Sequence, residues 1–492
     1  MAIPDPRALV AFNRFGLGPR PGDLAATTDA REAILAELNA PRSALIDDPA
    51  LQRTPLALQA VYEDQERKKL EREQSAQEHF AQLGMPAPDV AALIAPAPAA
   101  SAMTPDAAMA SGMPPPQMKP PPPIEQQIFR AEAAARLTRA CAAPIGFVER
   151  LVAFWSNHFC ISVAKSNIGR ACAGAFEREA IRPYVTGRFA DMLRAVEQHP
   201  GMLNFLDNAQ SIGPDSRAGQ NRRRGLNENL AREILELHTM GVGAGYSQAD
   251  VTQLAQILTG WTIVGREGKL GEPGAFAFNA NAHQPGPATL LGRVYGQDGI
   301  AQGEAALADI ARHSAVAAHI AKKFARHFVA DDPDPALVAR LAKAFGDSEG
   351  DLGALAQALI KDDAAWSAPA AKIRNPWEVV VAAQRAFRRP VADPGPALNA
   401  LNLLGMPLWQ PGGPNGFSDD TAAWASPEGM RMRLELAAQF ARQTKDAPSP
   451  ALLIDDILGP NVSAPTRETV TRAESREQAF ALLIMSPEFQ RR

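Results

Sequence analysis

The stretch NENLAREILELHTMGVGAGYSQAD, residues 227–250, places Glu228, Glu233, Glu236 and His238 along one short segment of helical pattern that runs into a glycine loop. Carboxylates this close together can divide general acid and general base work when their surroundings separate their pKa values. Carboxylates and imidazoles can equally bind a divalent metal, with His158 and His283 joining from elsewhere in the chain. The spacing leaves both chemistries open and the metal unknown. There is no HExxH, and Glu233-Ile234-Leu235-Glu236 is an ExxE without the ExxH of a helical di-iron site.

Each of these residues also has a structural reading. Asn227 suits an N-cap, and Glu228 suits the positive end of the helix behind it. Glu228, Arg232 and Glu236 recur every four residues, so the arginine can pair with either acid. His238 suits a last helical turn, and Asp250 suits a capping box begun at Ser247. What these readings explain poorly is the density of acids beside a histidine, on a helix whose other face is the apolar stripe Leu230, Ile234 and Leu235.

Two further stretches point towards the same centre. WSNHF, 155–159, puts Asn157 and His158 near a helix end, where each can make directed hydrogen bonds or simply cap and fill. FNANAHQPG, 278–286, presents His283 at a turn, away from core demands. Serines near acids form no GxSxG elbow, and neither a phosphate loop nor a dinucleotide fingerprint is present.

The elements that must position these groups are mainly helical. Apolar residues recur at helical spacing over 23–40, where Ala30, Ile34 and Leu38 lie four apart, and over 49–83, whose highly charged middle suits a solvated arm. Helical pattern resumes at Ile124. It covers 145–159, 169–186, 189–209, 225–239, 248–260, 302–329, 334–346, 350–362, 376–388, 428–444 and 474–485. The exception is 274–296, where two short apolar runs flank a Pro/Gly turn and read as one small β-hairpin. From 86 to 123 proline recurs so often that the chain reads as a disordered insertion. The expected organisation is an N-terminal helical segment (1–85), that insertion, and a main helical domain (124–492).

Hydrophobic residues make up 46% of the 492 and charged residues 21%, a globular composition. A formal net charge of −4 gives no general attraction to nucleic acid. The run Arg222–Arg224, with no aromatic residue interleaved, suits a solvated loop. Three cysteines without CxxC spacing argue against both a zinc site and a disulfide framework. Neither a signal-peptide core nor a membrane span is seen, so the default expectation is cytoplasmic.

The combination FWSNHF, REAIRPYVTGRFADML, GLNENLAREILELHTMGVGAGYSQADV, LTGW, AHQPG and the closing LIMSPEF resembles a large bacterial family, the domain-of-unknown-function family numbered 1800, over nearly the whole chain. The resemblance implies a largely helical fold and no established activity. It also implies a partner from a neighbouring uncharacterised family that is alkaline-phosphatase-like. Its motif polar residues fall on Asn157, His158, Asn227, Glu228, Glu233, Glu236, His238, Asp250 and His283. Gln284 stands where the family often has an acid, which weakens a metal site built on that position. LWQPGGPNGFSDDTAAWASP, 408–427, resembles a family segment too; Trp409 and Trp424 there suit either a ligand platform or pins that hold the loop to the core.

The reading that results is a hydrolase-like enzyme centred on 227–250. Its catalytic candidates are Glu233, Glu236, His238, Glu228 and Asp250. Its substrate-binding candidates are Asn157, His158, Asn227, Arg232, His283, Trp261 and Trp409. The alternative is a non-catalytic helical scaffold for a partner protein.

Overall fold

The computed structural model describes residues 5–82, 121–221, 225–389, 391–443, 448–460 and 462–492. The proline-rich insertion up to residue 120 and the Arg222–Arg224 run lie outside the described residues. The chain is mainly helical, as its periodicity predicts, and differs where local chemistry interrupts that periodicity. The 23–40 pattern splits into Asp23–Ala26 and Ala30–Asn39 because Asp29 caps the second helix, accepting from the backbone of Arg31 and Glu32. The 302–329 pattern splits at His313, whose side chain caps Ser314–Phe328 behind the helix Ile300–Ala311. Pro200 likewise divides Phe189–Glu197 from Pro200–Phe205.

One core gathers the N-terminal segment with the rest of the chain. Phe12, Phe15, Ile34 and Leu38 are buried in the same cluster as Leu151, Phe154, Trp155, Phe324 and Phe328. Burial of each such side chain contributes about 1.5–3 kcal/mol. A second cluster, with Phe387, Ile454, Phe480 and Phe489, closes the C-terminal helices. The Thr54–Gln82 helix buries Leu58 and Val61 near its start, and most of its charged remainder is exposed, as expected.

The N-terminal segment also sets the position of the Phe147–His158 helix. Buried Glu37 accepts from the backbone N–H groups of Ile145 (2.7 Å), Gly146 (2.9 Å) and Val148 (3.0 Å). A carboxylate at that end satisfies orphan donors and meets the positive pole of the helix.

Among the described residues, three helical turns widen to the five-residue π repeat, at Ala11–Phe15, Glu177–Ile181 and Ile234–His238. Each carries a buried polar side chain: Arg14, Glu177 and His238. Turns of this kind occur frequently at functional sites. The third replaces the regular helix expected to run to residue 239, and leaves only Asn229–Glu233 as α-helix.

The strands pair differently from the single expected hairpin. β1 (Trp261–Ile263) pairs with β2 (Phe276–Phe278), and β3 (Ala288–Leu290) pairs with β4 (Arg293–Tyr295), both antiparallel. The two apolar runs of 274–296 thus face different partners. The connection between them holds Pro285 and Pro287, which lack ladder donors, whereas Leu291-Gly292 makes a two-residue turn.

Candidate functional site

Two helices of the core face each other with polar stripes. On Ser314–Phe328, His319, Lys323 and His327 recur every four residues and so share a face. On Phe147–His158, Arg150, Phe154 and His158 do the same. Arg150 Nη2 lies 3.2 Å from His327 Nε2, and Lys323 Nζ lies 2.9 Å from His158 Nδ1, so the helices run in opposite directions. Phe154 packs between these contacts, edge-on to Phe324 at 5.3 Å.

The hydrogen bonds fix the state of His158. An ammonium only donates, so Nδ1 accepts from Lys323 and the proton sits on Nε2, which donates to the backbone carbonyl of His238 at 3.0 Å. Burial, followed by the nearby Lys323, holds this imidazole well below its ordinary pKa. His238 itself is buried in the π turn and bonds Glu197 Oε1 through Nδ1 at 2.8 Å. Glu197 Oε2 is buried without a hydrogen-bond partner among the described residues.

Two groups beside this pair lack a partner of opposite charge. Lys323 makes no ion pair with a carboxylate among the described residues, and burial lowers its pKa despite the opposing fields of Asp419 and Cys160. Glu233 is half-buried, and its side chain makes no hydrogen bond or ion pair among the described residues. Burial raises its pKa, with His238 opposing and Glu236 adding to the rise. Both groups act electrostatically on the Cys160 thiol, which burial pushes up to about 12. That thiol is therefore no ready nucleophile.

The 409–419 loop covers this region. Asn157 clamps the Phe417 backbone from both sides: Nδ2 donates to its carbonyl and Oδ1 accepts from its N–H, each at 2.8 Å. Beneath the loop lies a cavity of about 60 Å³ whose walls include Arg150, Asn157, His327, Glu378, Trp409 and Asp419. His327 Nδ1 bonds Asp419 Oδ1 at 2.7 Å, and Glu378 binds Arg150 (2.9 Å) and Arg492 (2.8 Å). Trp409 is buried with φ +51°, and its indole N–H donates to Glu177 at 3.2 Å, so it pins the loop while lining the cavity. Trp424 donates to the carbonyl of Ser418 at 2.9 Å.

The remaining candidates have structural partners. Asn227 forms a turn to the N–H of Asn229 (2.9 Å). Glu228 accepts from Thr252 (2.7 Å), Gln248 (2.9 Å) and Arg232 (3.2 Å), tying its helix to the next one. Asp250 completes the capping box with Ser247, and its second oxygen accepts from the N–H of Leu291 at 2.8 Å. Trp261 is fully buried against Phe276 and packs over Gly303, where a Cβ would stand 2.4 Å from the indole. His283 donates through Nδ1 to the carbonyl of Thr259 at 2.9 Å, and no hydrogen bond or ring contact joins it to His158, His238 or Glu236 among the described residues. Glu236 faces Arg232 at 3.5 Å with 28% of its side chain exposed. Glu236→Gln is therefore expected to change the unfolding free energy by no more than about 0.5 kcal/mol in urea titration. A loss above about 2 kcal/mol would assign it a buried structural role.

Of the sequence candidates, the fold thus brings together Asn157, His158, Glu233, His238 and Trp409. It adds Glu197, His319, Lys323, His327, Glu378 and Asp419. The stripe of His319, Lys323 and His327 was visible as four-residue spacing within the helical pattern of 302–329. Glu197 and Asp419 carry no local signal, since only the tertiary fold gives each its histidine. Among the described residues, no group of three or more His, Cys, Asp or Glu stands where it could hold a metal ion. No described helix is long and apolar enough to cross a membrane.

Residues 10–491 match the family whose description reads "Protein of unknown function (DUF1800)". No curated protein and no solved structure matches the chain.

Proposed function

For this chain, which belongs to the DUF1800 family, we propose a hydrolase-like enzyme that works by general acid–base catalysis, centred on Glu233 and Lys323. One observation carries the reading: a buried amine with no carboxylate partner among the described residues is held by a neutral imidazole that also bonds the His238 backbone, and a half-buried carboxyl group, likewise unpaired, lies in the field of that same His238. Burying either charge without its complement costs stability, and such arrangements concentrate at functional sites. Glu233 acts as the proton donor or acceptor, and Lys323 as base or as the group that holds an electron-rich substrate atom. His158, with both nitrogens engaged, is a positioning residue for Lys323. His238 and Glu197 hold the carbonyl that orients His158.

The rival reading is the helical scaffold. It is favoured by the structural employment of Glu228, Glu236 and Asp250, three of the five catalytic candidates in the sequence. Labelling the folded protein with trace acetic anhydride between pH 7 and 11, followed by peptide mapping, separates the two. Lys323 is expected to become reactive below the ordinary lysine pKa of about 10.4. Against chromogenic esters, phosphate esters and glycosides, Lys323→Met and Glu233→Gln are each expected to cut turnover at least 100-fold, with melting temperatures no lower than wild type. An ordinary lysine titration together with a panel on which the wild type is inert would leave the scaffold reading standing.

A further inference from the structure

A second cavity lies among the helices Pro376–Ala386, Gly395–Leu403 and Pro427–Arg442. Its volume is about 100 Å³, and its walls are largely apolar, including Val379, Ala397, Leu404, Leu436 and Phe440. For scale, an engineered apolar cavity of about 150 Å³ binds benzene. The apolar part of an occupant of the present cavity is then about four to six carbons.

The polar groups on its wall give the occupant a charge. Arg389 stacks over the Phe440 ring at 4.8 Å, and among the described residues its one side-chain hydrogen bond is to Gln443 Oε1 at 3.1 Å. No carboxylate pairs with it among the described residues, and burial lowers the pKa of its guanidinium. Arg433, on the same wall, is bound by the neutral oxygens of Gln490 (2.6 Å) and the Arg374 carbonyl (2.8 Å). Gln384 contributes a buried amide oxygen with no partner among the described residues. A pocket that combines an apolar body, two guanidinium groups without a directly bonded acid and an unsatisfied amide is complementary to an amphipathic anion. A neutral hydrocarbon would leave Arg389 without a counter-charge, and a cation would be repelled.

We propose that this cavity binds a short-chain aliphatic carboxylate, its chain among Val379, Leu404 and Phe440 and its head group on Arg389. Planar, two-pronged recognition of a carboxylate is what a guanidinium does better than an ammonium. The site is independent of the acid–base centre, and neither reading needs the other.

Isothermal titration calorimetry of the full chain with sodium hexanoate, 1-hexanol and hexylammonium chloride tests it. Hexanoate is expected to bind saturably at one site, with hexanol at least tenfold weaker and hexylammonium silent. Arg389→Leu is expected to lose at least tenfold in hexanoate affinity while hexanol binding is kept. Ala400→Leu, which fills the pocket from its half-buried wall, is expected to abolish both. Thermal melts of each variant without ligand establish that it folds. No saturable hexanoate binding by the wild type, equal affinity for hexanol, or unchanged affinity in folded Arg389→Leu would each overturn the proposal.

Discussion

Replacing Arg182 by methionine is expected to lower the unfolding free energy by about 3–5 kcal/mol. No part of this guanidinium is exposed. It donates to Glu149 at 2.8 and 3.0 Å, to Glu177 at 3.0 Å through Nε, and to the carbonyl of Ala44 at 2.8 Å. Burial by itself would lift the Glu177 carboxyl; Arg136 and Arg182 together bring it below its ordinary value. Methionine fills much of the volume and supplies none of the charge. Among the described residues Glu149 then keeps only Arg139 at 3.6 Å, while Glu177 keeps Arg136 at 3.2 Å with Ser156 and Trp409. The cost arises from the carboxylates left behind, so Glu149→Gln added to Arg182→Met should lose less than the sum of the two single changes. Urea titration of the single and double variants measures both. A single-variant loss below 1 kcal/mol would mean that water reaches the triad.

Stability is expected to fall steeply between pH 6.5 and 4. Burial holds His327 and His319 at about 4, and holds His158 well below its ordinary value. Unfolded histidine titrates near 6.5. As pH falls through that value, the unfolded chain takes up protons that the native chain refuses, so unfolding is favoured. Below about pH 4.3 the carboxylates act in the same direction. Glu378, which burial alone would raise, is brought to about 2 by Arg150 and Arg492, and Asp419 is held well below its ordinary value by His327 and Lys372 against the same opposing burial. Each proton of difference is worth about 1.4 kcal/mol per pH unit, so three histidines approach about 4 kcal/mol per unit near pH 5. The half-buried His319 contributes the smallest part. Urea titrations at pH 7.5, 6.5, 5.5 and 4.5 read the slope directly. His319→Gln should flatten it by at most one proton, and a flat profile down to pH 4.5 would show that these rings are hydrated.

The helices were legible where apolar spacing is regular, and their breaks were not. Gly395–Leu403, Pro450–Leu458 and Ala464–Thr471 escaped because each opens beside a proline, which on paper looks like the end of order. In the structure it takes the first helical turn, where its missing N–H costs nothing. The candidate site was legible as motifs and illegible as partners. His158 and His238 both stood out by type, yet nothing in WSNHF names Lys323, and nothing in ILELH names Glu197. Both bonds join helices far apart in the chain. His283 stood out for the same reason as His158, and its place beside Thr259 shows that a histidine in a motif can serve the turn that carries it.

The widened turn at Ile234–His238 bears on how this segment tolerates a change of length. Successive helical residues are about 100° apart around the axis, and a π turn accommodates one residue more than the α-helix it interrupts. Removing one residue there would let the turn relax to ordinary geometry at little local cost. The segments before and after it would keep their relation to one another, because the wide turn takes up the extra residue in place of a rotation of about 100°. Glu233 and His238 stand at the two ends of that turn, so losing one residue between them leaves the imidazole on Glu197 and the carboxyl group in the neighbourhood of Cys160. The Phe147–His158 helix has no such spare residue, and the same deletion there would turn His158 by about 100° away from Lys323.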